Sequence, residues 1–428
     1  MPGGSVLIRR CRPWGGVLSD VRIHDGVITD VSAHDHSVGD VSAGTPAGCV
    51  IDVKNIDGPT PEHVIDGRER LALPSFSDVH VHLDSTRVGL PFRPHTGAPG
   101  VWAMMLNDRA HWRNAEVGIT QRVSDTLGRM IAHGATRVRS FAQVDVDCRL
   151  ERFEAVLAAR EANRDRCEMQ VIAFPQAGLL REDGSPQVLE DAIKAGADVV
   201  GGIDPCTLDR DPVRHLDIVF GLAEKYQLPV DIHLHEPADL GRFSADLIIE
   251  RTKALGMQGH VLISHGYGLW GGSESVVNNL VRAFADSDIA TATIAPGGGQ
   301  GIPLKALTEA GVRVGLGQDG QRDYWSPYGN ADMLDRTWQL AFTSGFRADD
   351  QIEHALAIAT IGGASIMDPT RPRLTSVLDR PGLEPGDPAH VSLIDGETPT
   401  SAVMDRPHDR TIIFNGRVVA EHGVLSND

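Results

Sequence analysis

Two histidines separated by one residue close a short apolar run, Leu71-Ala-Leu-Pro-Ser-Phe-Ser-Asp-Val-His80-Val-His82-Leu-Asp84. The run reads as a strand entering a loop. Side chains alternate between the faces of a strand, so His80 and His82 share one face and form half of a site for a divalent metal. Later apolar runs end on further polar residues. His233 and Glu236 follow Asp231-Ile, His265 closes Leu262-Ile-Ser-His-Gly, and Asp319 lies in Gly315-Leu-Gly-Gln-Asp-Gly. Three imidazoles and a carboxylate suit Zn2+ or Fe2+, with one coordination position left for water. The spacing of His80 and His82 alone is common by chance; the ordered series carries the meaning.

The elements that must position these residues are legible in the middle of the chain. Short β-rich runs recur at Phe76–His82, Arg137–Phe141, Met169–Phe174, Asp198–Ile203, Leu228–His233, Val261–His265, Ile289–Ile294 and Val312–Leu316. Helical spacing lies between several of them, as in Leu150–Leu157 and Leu240–Leu255. Eight strands alternating with helices predict a (β/α)8 TIM barrel, in which chemistry gathers at the C-terminal ends of the strands. Both termini instead alternate apolar and polar residues around Asp25-Gly26 and Asn415-Gly416, which are hairpin signals. They predict a small β-sandwich domain built from both ends. The expected division is residues 1–66 and 376–428 for the sandwich and 67–375 for the barrel, with Asp40–Pro61 a loop excursion.

Composition excludes several classes. The 428 residues carry a formal charge of −18, which argues against nucleic acid or an anionic membrane as a partner. No apolar stretch approaches ~20 residues and no signal peptide is evident. Five scattered cysteines, Cys11, Cys49, Cys148, Cys167 and Cys206, fit reduced thiols in a cytoplasmic protein. The glycine-rich Pro296–Gly301 lacks the Lys-Ser/Thr of a phosphate loop and reads as an ordinary loop.

The ordered motifs resemble the amidohydrolase superfamily, and most nearly its cytosine deaminase-like branch. The resemblance runs from about Leu71 to Met333. It rests on Val79-His-Val-His-Leu-Asp84, Val171-Ile-Ala-Phe174-Pro-Gln176, Asp231-Ile-His233-Leu-His-Glu236, Ser264-His265, and Asp319 with the following Asp323-Tyr-Trp325-Ser-Pro-Tyr-Gly-Asn. It implies His80, His82, His233 and Asp319 as ligands of one divalent ion, with His265 touching the metal-bound water and Glu236 shuttling protons. The carboxylated lysine that bridges two metals in some members has no counterpart in Val199-Val-Gly-Gly-Ile-Asp-Pro-Cys, so one ion is expected. Three positions depart from cytosine deaminases: Phe141 stands where a histidine is usual, Gln318 precedes the metal aspartate, and Gly320 follows it. Gly320 is expected to leave extra room and one acceptor fewer beside the site.

Such residues are expected to deaminate a small amino-substituted N-heterocycle of cytosine, isocytosine or creatinine type through a metal-bound hydroxide. Asp319 and His265 accept the water's proton and Glu236 protonates the ring nitrogen. Gln176 offers an amide to a ring carbonyl beside an N–H, and Phe174, Trp325 and Trp102 offer flat walls. An alternative keeps the metal but removes an alkylamine from an s-triazine or opens a cyclic amide. A non-catalytic metal-binding scaffold would have no use for Glu236 and His265. Plainer roles stand beside each assignment: Gln176 as a loop cap, Phe174 and Trp102 as core, and His235 as a hydrogen-bond partner. A homo-oligomer is the expected assembly.

Overall fold

In the computed structural model, which describes residues 4–35, 63–95, 100–297 and 301–426, the β-rich runs of the middle pair in sequence order. The strands are β1 (Phe76–His82), β2 (Ala135–Gln143), β3 (Glu168–Phe174), β4 (Val199–Ile203), β5 (Val230–Leu234), β6 (Val261–His265), β7 (Ile289–Thr293), β8 (Val314–Leu316) and β9 (Asp319–Gly320). All neighbours are parallel, and the order runs from β8 back through β1 to β9. β8 pairs with β7 through Thr293 and Leu316, whereas β9 pairs with β1 through Asp319 and Val81. The sheet therefore curls until its two edges meet within one short run of chain, which fits a TIM-barrel-like α/β fold.

The strands β1, β2, β4, β5, β6, β7 and β8 are buried along their whole length. Burial on both faces explains the lack of a clean apolar–polar alternation in strands such as Val199-Val-Gly-Gly-Ile203 and Val261-Leu-Ile-Ser-His265. Helices cover the outside. The helix Ala238–Ala254 presents Ala245, Ile248 and Ile249 to the core at three- and four-residue spacing. The helix Pro212–Tyr226 begins with proline and is capped by the Asp211 carboxylate, which accepts from Arg214 N–H.

Both termini join one mixed sheet of nine strands. Ser5–Pro13, Ser19–His24, Val27–Ala33, His63–Asp66 and Leu71–Pro74 come from the N-terminal side; Val391–Ile394, Arg410–Phe414, Arg417–Glu421 and Val424–Leu425 come from the other. Both expected hairpins form. Their turns have positive φ at Asp25 (51°), Gly26 (76°), Asn415 (49°) and Gly416 (77°), the two-residue geometry that matches strand twist. Pairing makes the sheet continuous, because Ser5–Pro13 bonds to Ser19–His24 and then, past a bulge, to Leu71–Pro74.

One expectation is corrected. The run Leu71–Asp84 is two strands, since Leu71–Pro74 pairs with Val391–Ile394 in the terminal sheet and β1 starts at Phe76. The split is visible in consecutive donors: Ser75 N–H goes to His390 O (2.9 Å) and Phe76 N–H to Gly134 O (2.9 Å). The Asp40–Pro61 excursion, Cys49 and residues 298–300 of the glycine-rich loop lie outside the described residues.

Candidate metal centre

Strand alternation sends His80 and His82 inward from β1, and the C-terminal ends of β5 and β6 bring His233 and His265 opposite them. Asp319 arrives on β9. Two of these five residues occupy the left-handed backbone region, His265 (φ 68°) and Asp319 (φ 63°). That conformation is costly for side chains other than glycine, so each must be held there by its surroundings.

One ligand atom each from His80, His233 and His265 lies within 4.8 Å of the others, and the same holds for His80, His82 and Asp319. His82 Nε2 is 3.2 Å from His233 Nε2 and 3.3 Å from Asp319 Oδ1. His80 Nε2, His233 Nδ1 and His265 Nε2 are buried without a hydrogen-bond partner. Each such orphan costs about 1–3 kcal/mol, so three converging ones are hard to explain by folding stability. The clustered imidazoles could hold a divalent cation, and nitrogen with one carboxylate suits zinc or iron.

A buried chain fixes the lone pair of one imidazole. Ser264 Oγ has one proton and donates it to Asp231 Oδ1 (2.7 Å), so it accepts from His80 Nδ1–H (2.9 Å). A neutral ring protonated at Nδ1 keeps its Nε2 lone pair for a cation. Charge favours this state. Burial pushes the His80 imidazole down to about 4, and burial with neighbouring imidazoles holds His233 and His265 well below the usual histidine range. For Asp319 burial opposes ionisation, but the His80 and His82 imidazoles beside its carboxyl prevail and hold it well below the usual range.

The flanking residues sort into distinct roles. Phe174 stacks on His233 (4.2 Å between ring centres, 26°), and Phe141 stacks on His82 (5.1 Å, 21°). Trp102 packs against this aromatic cluster beneath the Arg181 guanidinium, 4.1 Å from its ring centre. Gln176 is 7% exposed and its side chain makes no hydrogen bond among the described residues. Trp325 is half-buried in the loop after β9, and its N–H donates to Asp323 Oδ1 (2.8 Å).

Glu236 is buried and belongs to neither of the two ligand groups. Its Oε1 accepts from Cys206 N–H and Thr207 N–H (both 2.7 Å), and its Oε2 accepts from Ser244 Oγ. His235 Nδ1 bonds to Asp204 Oδ2 (2.8 Å) while its ring lies 4.4 Å from that of His265, in line with a hydrogen-bonded supporting role. Tyr267 OH meets His265 Nδ1 at 2.6 Å. The expected space beside Gly320 is corrected: a Cβ there would lie 2.3 Å from Asp323 Oδ2, so a carboxylate already fills it. Sequence reasoning gave no role to Asp231, Ser264, Asp204, Tyr267 or Asp323. Asp204 was detectable, because it follows β4 directly at the strand end where chemistry gathers.

The comparisons with known proteins agree. The amidohydrolase family model matches residues 100–420. The chain is 27% identical over 374 residues to the N-isopropylammelide isopropyl amidohydrolase of Pseudomonas sp. strain ADP, covering 86% of this chain and 90% of that one. The crystal structure of N-isopropylammelide isopropylaminohydrolase from Burkholderia multivorans is 34% identical, covers 99% of this chain and 100% of its own, and superposes with a TM-score of 0.85. That of 5-methylcytosine deaminase from Klebsiella pneumoniae, liganded with phosphonocytosine, is 25% identical, covers 97% and 98%, and superposes at 0.75. With the match spanning most of the chain, the protein belongs to the amidohydrolase family and is a hydrolase of C–N bonds.

Proposed function

We propose that the protein is a metal-dependent hydrolase that releases an amine from a small amino-substituted N-heterocycle. The observation carrying this reading is the trio of buried imidazole nitrogens without partners, walled by Phe141 and Phe174. His80, His82, His233 and Asp319 would hold one divalent ion, Zn2+ or Fe2+. When bound, that ion supplies Lewis acidity, bringing the pKa of water from about 16 toward about 7. Asp319 and His265 take up the proton released from the attacking water. Glu236 gives its proton to the ring nitrogen, recovers the one held by Asp319 and His265, and passes it to the leaving amine; its Oε2 accepts only from Ser244 and keeps capacity for this exchange. Gln176, buried with its amide unspent, pairs with a ring carbonyl beside an N–H, and Trp325 closes over the ring.

The finer readings of the fold and setting go with this one. Of the expected 67–375, the part from Phe76 onward acts as a (β/α)8 barrel, and Leu71–Pro74 goes with residues 1–66 and 376–428 to its β-sandwich attachment, in a cytoplasmic homo-oligomer. The edge pairings of β8 and β9 support the barrel. Among the described residues no helix is long and apolar enough to cross a membrane, and Cys11, Cys148, Cys167 and Cys206 are free thiols.

A second reading concerns the leaving group. The names of the relatives at 27% and 34% identity refer to N-isopropylammelide, which favours an alkylamine over ammonia. Purified protein tested against cytosine, isocytosine, creatinine, ammelide and N-alkylated ammelides, reading ammonia and alkylamine separately, decides between them. Release of either amine in step with loss of ring substrate is expected. Ring opening without amine release overturns the proposal.

A further inference from the structure

The Asp323 carboxylate sits where residue 320 would place a side chain, and its surroundings look built to present it. Asp323 is 7% exposed. Its Oδ1 is fully engaged, accepting from Trp325 N–H (2.8 Å) and Ser326 N–H (2.9 Å). Its Oδ2 accepts one bond, from Ser85 Oγ (2.9 Å), and Ser85 stands three residues beyond His82. The Gly320 backbone closes on the same oxygen, since a Cβ there would come within 2.3 Å of it. Asp323 also lines a cavity of about 230 Å³ bounded by Arg87, Phe92, Asn107, His111 and Tyr324, while Ser85 ties it to the chain leaving β1 at His82. A loop cap needs only one carboxylate oxygen. Here the second oxygen is buried, oriented by a hydroxyl from the β1 exit, adjacent to Asp319, and left with an unused lone pair.

We infer that Asp323 is a specificity-determining residue whose Oδ2 accepts the N–H of the amino or alkylamino substituent on the heterocycle. This rests on the proposed heterocycle hydrolysis and narrows it to rings with an N–H donor at the reacting carbon. A ring with oxygen at that position turns a carbonyl lone pair toward the carboxylate and is rejected. The aminated substrate is thereby favoured over its own hydrolysis product, which eases product release.

The test compares an aminated ring with its oxo product, for instance ammelide and cyanuric acid, in the metal-loaded wild type, Asp323→Asn and Gly320→Ala. Asparagine keeps a carbonyl for the two backbone N–H groups and a partner for Ser85 but replaces the anionic acceptor with a donor. Gly320→Ala pushes the carboxylate aside without altering it. Both variants should keep their metal content, and Asp323→Asn its thermal midpoint. Both should lose about ten- to hundredfold in kcat/KM for ammelide, mainly through KM, the range of a charge-assisted hydrogen bond. Asp323→Asn should bind cyanuric acid as well as or better than wild type in a calorimetric titration. Equal weakening for both rings, or no change for either, overturns the inference and leaves Asp323 a loop cap. A wild type that binds neither ring overturns the parent reading, and this one with it.

Discussion

Two buried polar regions of this molecule are built on opposite terms. At the junction of the catalytic sheet and the terminal sheet, Arg410 is wholly buried and every guanidinium nitrogen is spent. It donates to Asp332 Oδ1 and Oδ2, to His133 O and to Pro407 O, each at 2.8 Å. Asp332 in turn caps the helix Met333–Thr343 through Leu334 N–H (2.9 Å). At the strand ends, His80, His233 and His265 are just as buried but keep three nitrogens without partners. The first region is complete and holds two sheets together. The second is incomplete until something binds. Buried polar groups are normally paired because leaving them unpaired is expensive, so the contrast separates what the chain uses for stability from what it holds for chemistry.

The contrast is broken most severely at the complete region. Arg410→Met leaves the Asp332 carboxylate buried without its partner and should cost about 3–5 kcal/mol, measured by denaturant unfolding. The same junction sets an acid dependence. Burial opposes ionisation of Asp332, but Arg410 prevails and holds its pKa below the ordinary carboxylate range. The ion pair therefore contributes fully above the unfolded value of about 3.9 and is lost as pH falls through the lower folded value. Stability of the wild type should drop below about pH 4, and the drop should be shallower in Arg410→Met.

At the incomplete region the effects should appear in activity and metal, with little loss of fold. Glu236→Gln should keep the metal and lower kcat by about 10²-fold or more, equivalent to roughly 2.7 kcal/mol of barrier. A variant that loses its metal and regains full rate on reconstitution would show that Glu236 has no part in proton transfer. Ser264→Ala frees the His80 ring to adopt the wrong tautomer. It should weaken metal affinity by about tenfold, read by competition with a chromophoric chelator, and Ser264→Thr should restore it.

Much of this division was legible in the sequence, for definite reasons. Alternation over Val79–His82 fixes the shared face of two imidazoles, and β1 to β8 appear as short β-rich runs separated by helical spacing. The polar residue at each strand end then marks the site. Partnerships set by pairing register were not legible. Asp231 and Ser264 meet because β5 and β6 pair His233 with Ser264, and nothing local in either segment announces it. The break at Ser75 was hidden because Leu71–Pro74 and β1 are both apolar and buried, though they belong to different sheets. Gly320 read as vacant space because the loop that folds Asp323 back onto it has no periodicity to reveal its path. Arg410 and Asp332, 78 residues apart, could not have been paired by any local signal.

The most direct test of the central claim is metal analysis of the purified protein alongside His80→Ala, with unfolding followed on the same samples. Wild type should hold about one equivalent of zinc or iron per chain. His80→Ala should lose most of that metal while its metal-free form unfolds no more easily than metal-free wild type. Full activity with no metal or with two equivalents, or a metal-free His80→Ala that is unstable relative to metal-free wild type, would contradict the assignment of these histidines to binding rather than to the fold.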